Sequence, residues 1–167
     1  MRRTATILIA CAGLLLAGCG YRPLYGTSAD DAGVTASLSS VAIPEADSRL
    51  GQIIRNDLLS GMRSNGEDRY TLIIKPTVRK TGQIQKPLPA VTREAIHVAA
   101  SFDLVERRTG QTVHSGKTFS QASFDLVRQP FADMQAETNA TERAAHEVAA
   151  DIRTRLAAYF ATAPGTR

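Results

Sequence analysis

The sequence predicts an α+β fold: a two-layer α/β sandwich in which a mixed four-stranded sheet is packed by two helices, in the order β-α-β-β-β-α. Three patterns lead there. Between Arg93 and Val105, the residues Ile96, Val98, Ala100, Phe102 and Leu104 fall on every second position, the period of a half-buried strand. Leu50, Ile54, Leu58 and Met62 recur every four residues, the period of one helix face. A longer helical pattern runs from 131 to 160, with apolar positions three or four apart.

The chain begins with a basic segment, Met1-Arg2-Arg3, followed by an apolar stretch from Ile7 through Ala17. That stretch has the length of a signal-peptide core and is too short to stay in a bilayer as a permanent spanning helix. The small residues Ala17 and Gly18 then precede Cys19. The pattern Leu16-Ala17-Gly18-Cys19 resembles the lipobox of bacterial lipoproteins. The resemblance implies a diacylglycerol thioether on Cys19, cleavage before it, and acylation of the new amino group. Two or more acyl chains make such an anchor durable, where one is marginal. Gly20 in the next position, by resemblance to the usual sorting rule, favours the outer membrane. The expected divisions are a signal peptide at 1–18, a lipidated tether at 19–33, one domain at 34–160 and a flexible tail at 161–167.

Within the tether, Gly, Pro, Asp and Ser dominate 20–33, a loop composition. Tyr21, Leu24 and Tyr25 dock it on the domain or at lipid headgroups. Residues 34–43, rich in β-branched and small side chains and ended by Pro44, read as the first strand. Asp47 or Ser48 caps the helix of 48–63, which Ser64-Asn65-Gly66 closes. In 70–78, Tyr70, Leu72, Ile74 and Val78 share one strand face, and Pro76 assigns that strand to an edge or a bulge. Residues 79–90 have a loop composition. The strand of 93–105 follows, then a tight turn at Arg107-Arg108-Thr109-Gly110 and a strand of 112–124, forming a long antiparallel hairpin. Val113 and Phe119 are read on one face of it. The other face carries Glu94, His97, Ser101 and Asp103, then His114, Lys117 or Ser120 according to register. Pro130 opens the last helix, whose apolar stripe is read as Met134, Thr138, Thr141, Ala145, Val148, Ile152, Leu156 and Tyr159.

Removal of the leader leaves about 150 residues, enough for one domain with a complete core. Lys and Arg number 20 against 16 Asp and Glu. Arg2 and Arg3 leave with the leader, so the mature chain is nearer neutral than the whole, and no nucleic-acid partner is indicated. Of the two cysteines, Cys11 is discarded and Cys19 is lipidated, so no internal disulfide forms.

Nothing in the sequence has the spacing of a phosphate loop, a nucleophile elbow or a metal site, and no cofactor is implied. His146, four after Glu142, reads as solvated or helix-paired. Ser101, His97 and Asp103 could be written as a hydrolase trio. An open strand face, however, lacks the buried orienting group and oxyanion donors that such a trio needs. No catalytic residue is assigned. The basic residues carry more. Lys75, Arg79, Lys80, Lys86 and Arg93 flank the long loop, Arg107 and Arg108 sit at the hairpin tip, and Lys117 lies behind it. Arg and Lys are the donors that recognise phosphate, so these eight are candidate contacts for an anionic glycolipid.

The segment Cys19-Gly20-Tyr21-Arg22-Pro23-Leu24-Tyr25-Gly26 resembles the opening of the lipopolysaccharide-assembly lipoprotein family, in the form found in alphaproteobacteria. The run Ala149-Ala150-Asp151-Ile152-Arg153-Thr154-Arg155-Leu156, with Tyr159-Phe160, resembles its end. Together they span 19–160. The resemblance implies a small α/β sandwich that sits as a plug inside a large outer-membrane β-barrel. It would help that barrel fold and assist insertion of lipopolysaccharide into the outer leaflet, with no bond chemistry. It assigns no lipid contacts by residue, so the basic candidates rest on charge and placement. Glu94, and Asp103 in one register, dilute the charge of the face with Lys117 and Arg93. A near-neutral domain with mixed surface charge suits the polar interior of such a barrel. Two alternatives remain. One is a periplasm-facing lipoprotein that binds another envelope component, such as a secretion or cell-wall partner. The other is a small hydrolase built around His97 or His114.

Overall fold

The computed structural model describes residues 29–62, 66–83 and 92–163. Helix α1 spans Ala29–Ser39, strand β1 Val41–Ala42, helix α2 Arg49–Gly61, strand β2 Tyr70–Gln83, strand β3 Thr92–Glu106, strand β4 Thr112–Leu126 and helix α3 Pro130–Thr162. The expectations for 1–28, including Cys19 and the tether aromatics, lie outside the described residues. So do those for Ser64, Asn65, Lys86 and 164–167.

The sheet order is β1-β2-β3-β4, with β1 parallel to β2 and the other pairs antiparallel. This is the mixed four-stranded sheet that the sequence predicts, with the helices packed on one side. The even-numbered residues of β3 point to the helices, and Ile96, Val98, Ala100, Phe102 and Leu104 are all buried. They meet Ile54 and Leu58 of α2 and Val148, Ile152, Leu156 and Phe160 of α3 in one core. Ala140, Ala144, Ala145 and Ala149 are also buried, and their short side chains let α3 lie close over the sheet.

The strand expected at 34–43 is helix for most of its length, and only Val41–Ala42 pair in the sheet. Val34 and Leu38 stand four apart, so a helix puts both on one face. Both are buried, and α1 packs on α3. Helix α2 matches its expectation closely. Ser48 is the N-cap, and its side chain accepts from the Gly51 N–H at 3.1 Å.

Strand β2 runs five residues beyond its expected end. Arg79–Gln83 pair with His97–Arg93 rather than forming a loop. Polar residues line both faces there, which is why composition suggested a loop. Pro76 stands in the strand without disrupting the ladder, because β1 covers only Tyr70 and Thr71 and leaves the rest of that edge free. The hairpin turn is where it was expected, with Gly110 at φ +70°.

The pairing shifts between Leu104 and Val105: Leu104 faces His114, but Val105 faces Thr112. The extra residue, Val113, packs on the core, while Phe119 is 79% exposed on the other face. Val113 and Phe119 therefore do not share a face, because one bulged residue inverts the alternation. In α3 the stripe also differs from its expected course. Met134 is exposed, and Phe160 rather than Tyr159 is fully buried.

Candidate functional site

The odd-numbered residues of β2, β3 and β4 form a second sheet face, turned away from the helices. The register places them in rows. One row reads Lys75, Ser101, Lys117. The row two residues along each strand reads Thr77, Ala99, Phe119, and the next reads Arg79, His97, Gln121. Strands lie about 4.8 Å apart and rise about 3.3 Å per residue. Lys75 and Lys117 are thus rooted about 10 Å apart on either side of Ser101, with Arg79 about 13 Å further along. Short side chains on β3 make a shallow furrow between longer basic ones. Ile73, 41% exposed, and Phe119 add apolar surface beside it. Such a face offers ammonium and guanidinium donors to phosphate and apolar area to a hydrocarbon chain.

The structure brings together part of the expected basic set. Lys75, Arg79 and Lys117 lie on this face and are exposed. Arg93 is there too, held to its neighbour Asp125 at 3.0 Å. Lys80 is on the opposite face. Its ammonium bridges Glu94 at 2.8 Å and Glu137 at 2.7 Å and lies 5.6 Å from the Phe124 ring centre. The hydrogen bonds to Glu137 and then Glu94 raise its pKa above 10.5. Lys80 therefore ties the sheet to α3 and is not a free donor. Arg107 pairs with Asp68 at 3.3 Å, and Arg108 is exposed at the hairpin tip, away from the furrow.

Glu94 was expected on the same face as Lys117 and lies instead on the helix side, since it shares parity with Ile96. Asp103 is on the outer face, between Ile73 and Ser115. The outer face is thus more cationic than the sequence indicated. The contribution of Ile73, Thr77 and Phe119 was not foreseen, because it depends on register.

The histidines do not converge. His97 is on the outer face and His114 on the inner one, stacked on Tyr159 at 4.8 Å. His146 lies 3.5 Å from Asp57 of α2, a different pairing from the Glu142 on its own helix. His97 and Ser101 stand four residues apart along one strand, about 13 Å, which is beyond hydrogen-bond reach. Among the described residues no group of three or more His, Cys, Asp or Glu side chains is placed to hold a metal ion. A concavity of about 230 Å³ lies between the 43–48 segment, the start of α2 and the edge of β2. Arg55 on its rim donates to the carbonyls of Ile43 and Pro44 at 3.1 and 3.0 Å, so its guanidinium closes that turn.

Besides the Lys80 bridge, a second polar cluster on the inner face centres on Asp151. Burial, the largest influence on Asp151, raises its pKa. The hydrogen bonds from Thr118 and Arg155 outweigh this and leave it below 3.8. Arg155 is 2.6 Å away, one helical turn on.

No protein-family model matches the sequence, and no curated protein does. Solved structures do. A predicted lipoprotein from Caulobacter crescentus CB15 superposes with a TM-score of 0.66 at 26% identity, over 79% of this chain and 98% of that one. The chain shares its fold with this lipoprotein. A minor lipoprotein from Acinetobacter baumannii gives 0.54 at 19% identity, over 71% of this chain and 88% of that one. The rare lipoprotein B from Shewanella oneidensis gives 0.53 at 12% identity, over 71% and 92%. Among the described residues no helix is long and apolar enough to cross a membrane.

Proposed function

We propose that this protein is an outer-membrane lipoprotein, anchored through Cys19 on the periplasmic side. It seats in a large β-barrel of the lipopolysaccharide-assembly type, assists that barrel's assembly and helps insert lipopolysaccharide into the outer leaflet. One observation carries the reading: a chain in which Leu16-Ala17-Gly18-Cys19 resembles a lipobox shares its fold with a bacterial lipoprotein. The two-faced sheet supports it. The helices complete a core on one side without help from a partner. The other side keeps a polar, mixed-charge surface that matches the polar inner wall of a barrel. Lys75, Arg79 and Lys117 give that surface donors for an anionic glycolipid. The role is binding and assembly, and no residue is assigned to bond chemistry.

The test is recovery of the acylated protein, by affinity, from detergent-solubilised outer membranes, with mass spectrometry of what elutes. One large β-barrel in near-equal amount is the expected result. The intact mass of the protein reports acylation of Cys19 separately. An acylated protein that brings no barrel would sink the plug reading and leave a tethered binding domain for another envelope partner.

A further inference from the structure

The sheet has two outer edges, and the hydrogen bonds show which backbone groups each presents. The Arg107 N–H donates to the Arg69 carbonyl at 3.0 Å, and the Tyr70 N–H donates to the Ser40 carbonyl at 3.1 Å. In β2, therefore, odd-numbered residues bond β3 and even-numbered residues point toward β1 and the free edge beyond it. The Glu106 N–H donates to the Gln111 carbonyl at 2.9 Å, so the even-numbered residues of β3 bond β4. Their partners from His114 to Phe124 are also even-numbered. Ser115, Lys117, Phe119, Gln121 and Ser123 thus turn both N–H and C=O to the free edge of β4.

The two edges are treated differently. On β2, Pro76 is even-numbered, so its missing N–H falls on the free side and interrupts any strand added there. On β4, closure is confined to one end. The Arg143 guanidinium donates to the Ser123 carbonyl at 3.2 Å, and the Asp133 carboxylate accepts from the Val127 N–H at 2.8 Å. From Ser115 to Gln121 there is no proline, and among the described residues no side chain bonds the outward groups. Phe119, 79% exposed, projects beside this stretch, and the exposed Lys117 stands next to it.

We propose that residues 115–121 of β4 receive an extended segment of the partner barrel as an added strand. The alternating free donors and acceptors supply its main-chain bonds. The charge of Lys117, reinforced on the same face by Lys75 and Arg79, selects an acidic residue on that segment, and Phe119 selects an apolar one. A closed barrel wall has no free edge, so the segment is a loop or chain end turned into the lumen. The caps at Ser123 and Val127 end the pairing and fix its register. This inference rests on the barrel reading above.

The test is residue-resolved hydrogen exchange of the full-length acylated protein, alone and in complex with the barrel. Strand addition slows exchange at Lys117, Phe119 and Gln121 by about tenfold or more, and leaves Thr118 and Ser120, already bonded to β3, unchanged. Gln121→Pro removes one edge donor without touching the β3 ladder, so barrel recovery drops while the free protein keeps its fold. Gln121→Ala keeps the donor and keeps the barrel. A complex with unaltered exchange at these amides, and insensitive to Gln121→Pro, overturns strand addition and leaves the barrel reading intact. Absence of any barrel overturns both. Odd-numbered protection in the isolated protein that grows with its concentration overturns the proposal in favour of a second copy as the occupant.

Discussion

His114 faces the helices and is half-buried. Its ring stacks on Tyr159 at 4.8 Å and leans on Phe102 at 5.8 Å. Burial, and then the nearby Arg155 charge, lower its pKa below 6.5. Between the folded value and 6.5, the unfolded chain binds the proton that the folded chain refuses. Stability therefore falls as pH drops below 6.5 and levels off once the folded pKa is passed. The thermal midpoint of the protein is expected to decline over that window, and His114→Phe, which keeps a ring against Tyr159, is expected to flatten the decline. Equal slopes in the two proteins would place the acid sensitivity elsewhere. Asp151 does not confuse the measurement, since its lowered pKa contributes stability that is lost only as pH falls below 3.8. The sequence placed His114 on its strand but could not choose its face, because the Val113 bulge sets the alternation and has no mark in the residue pattern. Gly116 shows the same close fit. A Cβ there would stand 2.6 Å from the Phe102 ring, so the aromatic side chain fills the space that glycine leaves.

Among the elements, the strongest periods were legible and the mixed ones were not. Five alternating apolar residues fixed β3, and a four-residue repeat with a serine cap fixed α2. Residues 34–43 hold two signals at once. Val34 and Leu38 are spaced for a helix, while Val41 and Ile43 are spaced for a strand, and all four are buried. Burial of the first pair against α3 decides for a helix, and the ladder to Tyr70 and Thr71 takes only Val41 and Ala42. Helix α1 is therefore held by few large side chains. Leu38→Ala removes one of them and is expected to cost about 2–3 kcal/mol. Urea unfolding measures the loss, and hydrogen exchange should quicken first in α1 and only later in β3. A loss near zero would mean that α1 unfolds independently of the sandwich.

At the scale of the molecule, the decisive feature is that the helices cover only one face of the sheet. That asymmetry was implicit in the sequence, since two amphipathic helices and one alternating face suffice for a core. The composition of the uncovered face was not, because it depends on the pairing of three strands. Seven basic candidates among the described residues, which looked equivalent along the chain, separate once the strands are aligned. Lys80 is consumed by Glu94 and Glu137, Arg93 by Asp125 and Arg107 by Asp68, whereas Lys75 and Lys117 flank Ser101 as exposed cations. The double reversal Lys75→Glu with Lys117→Glu is accordingly expected to weaken binding of purified lipopolysaccharide by roughly tenfold or more, the scale of one lost charge-assisted contact. The effect should shrink as salt is raised, because these groups are exposed. The fold should survive, since neither side chain enters the core. Arg107→Glu with Arg108→Glu changes charge equally but lies at the hairpin tip, so its effect should be much smaller. Equilibrium binding of the three proteins at two salt concentrations decides the matter. A larger loss from the hairpin pair than from Lys75 and Lys117 would move the glycolipid contact from the furrow to the tip, and with it the direction in which the domain faces its substrate.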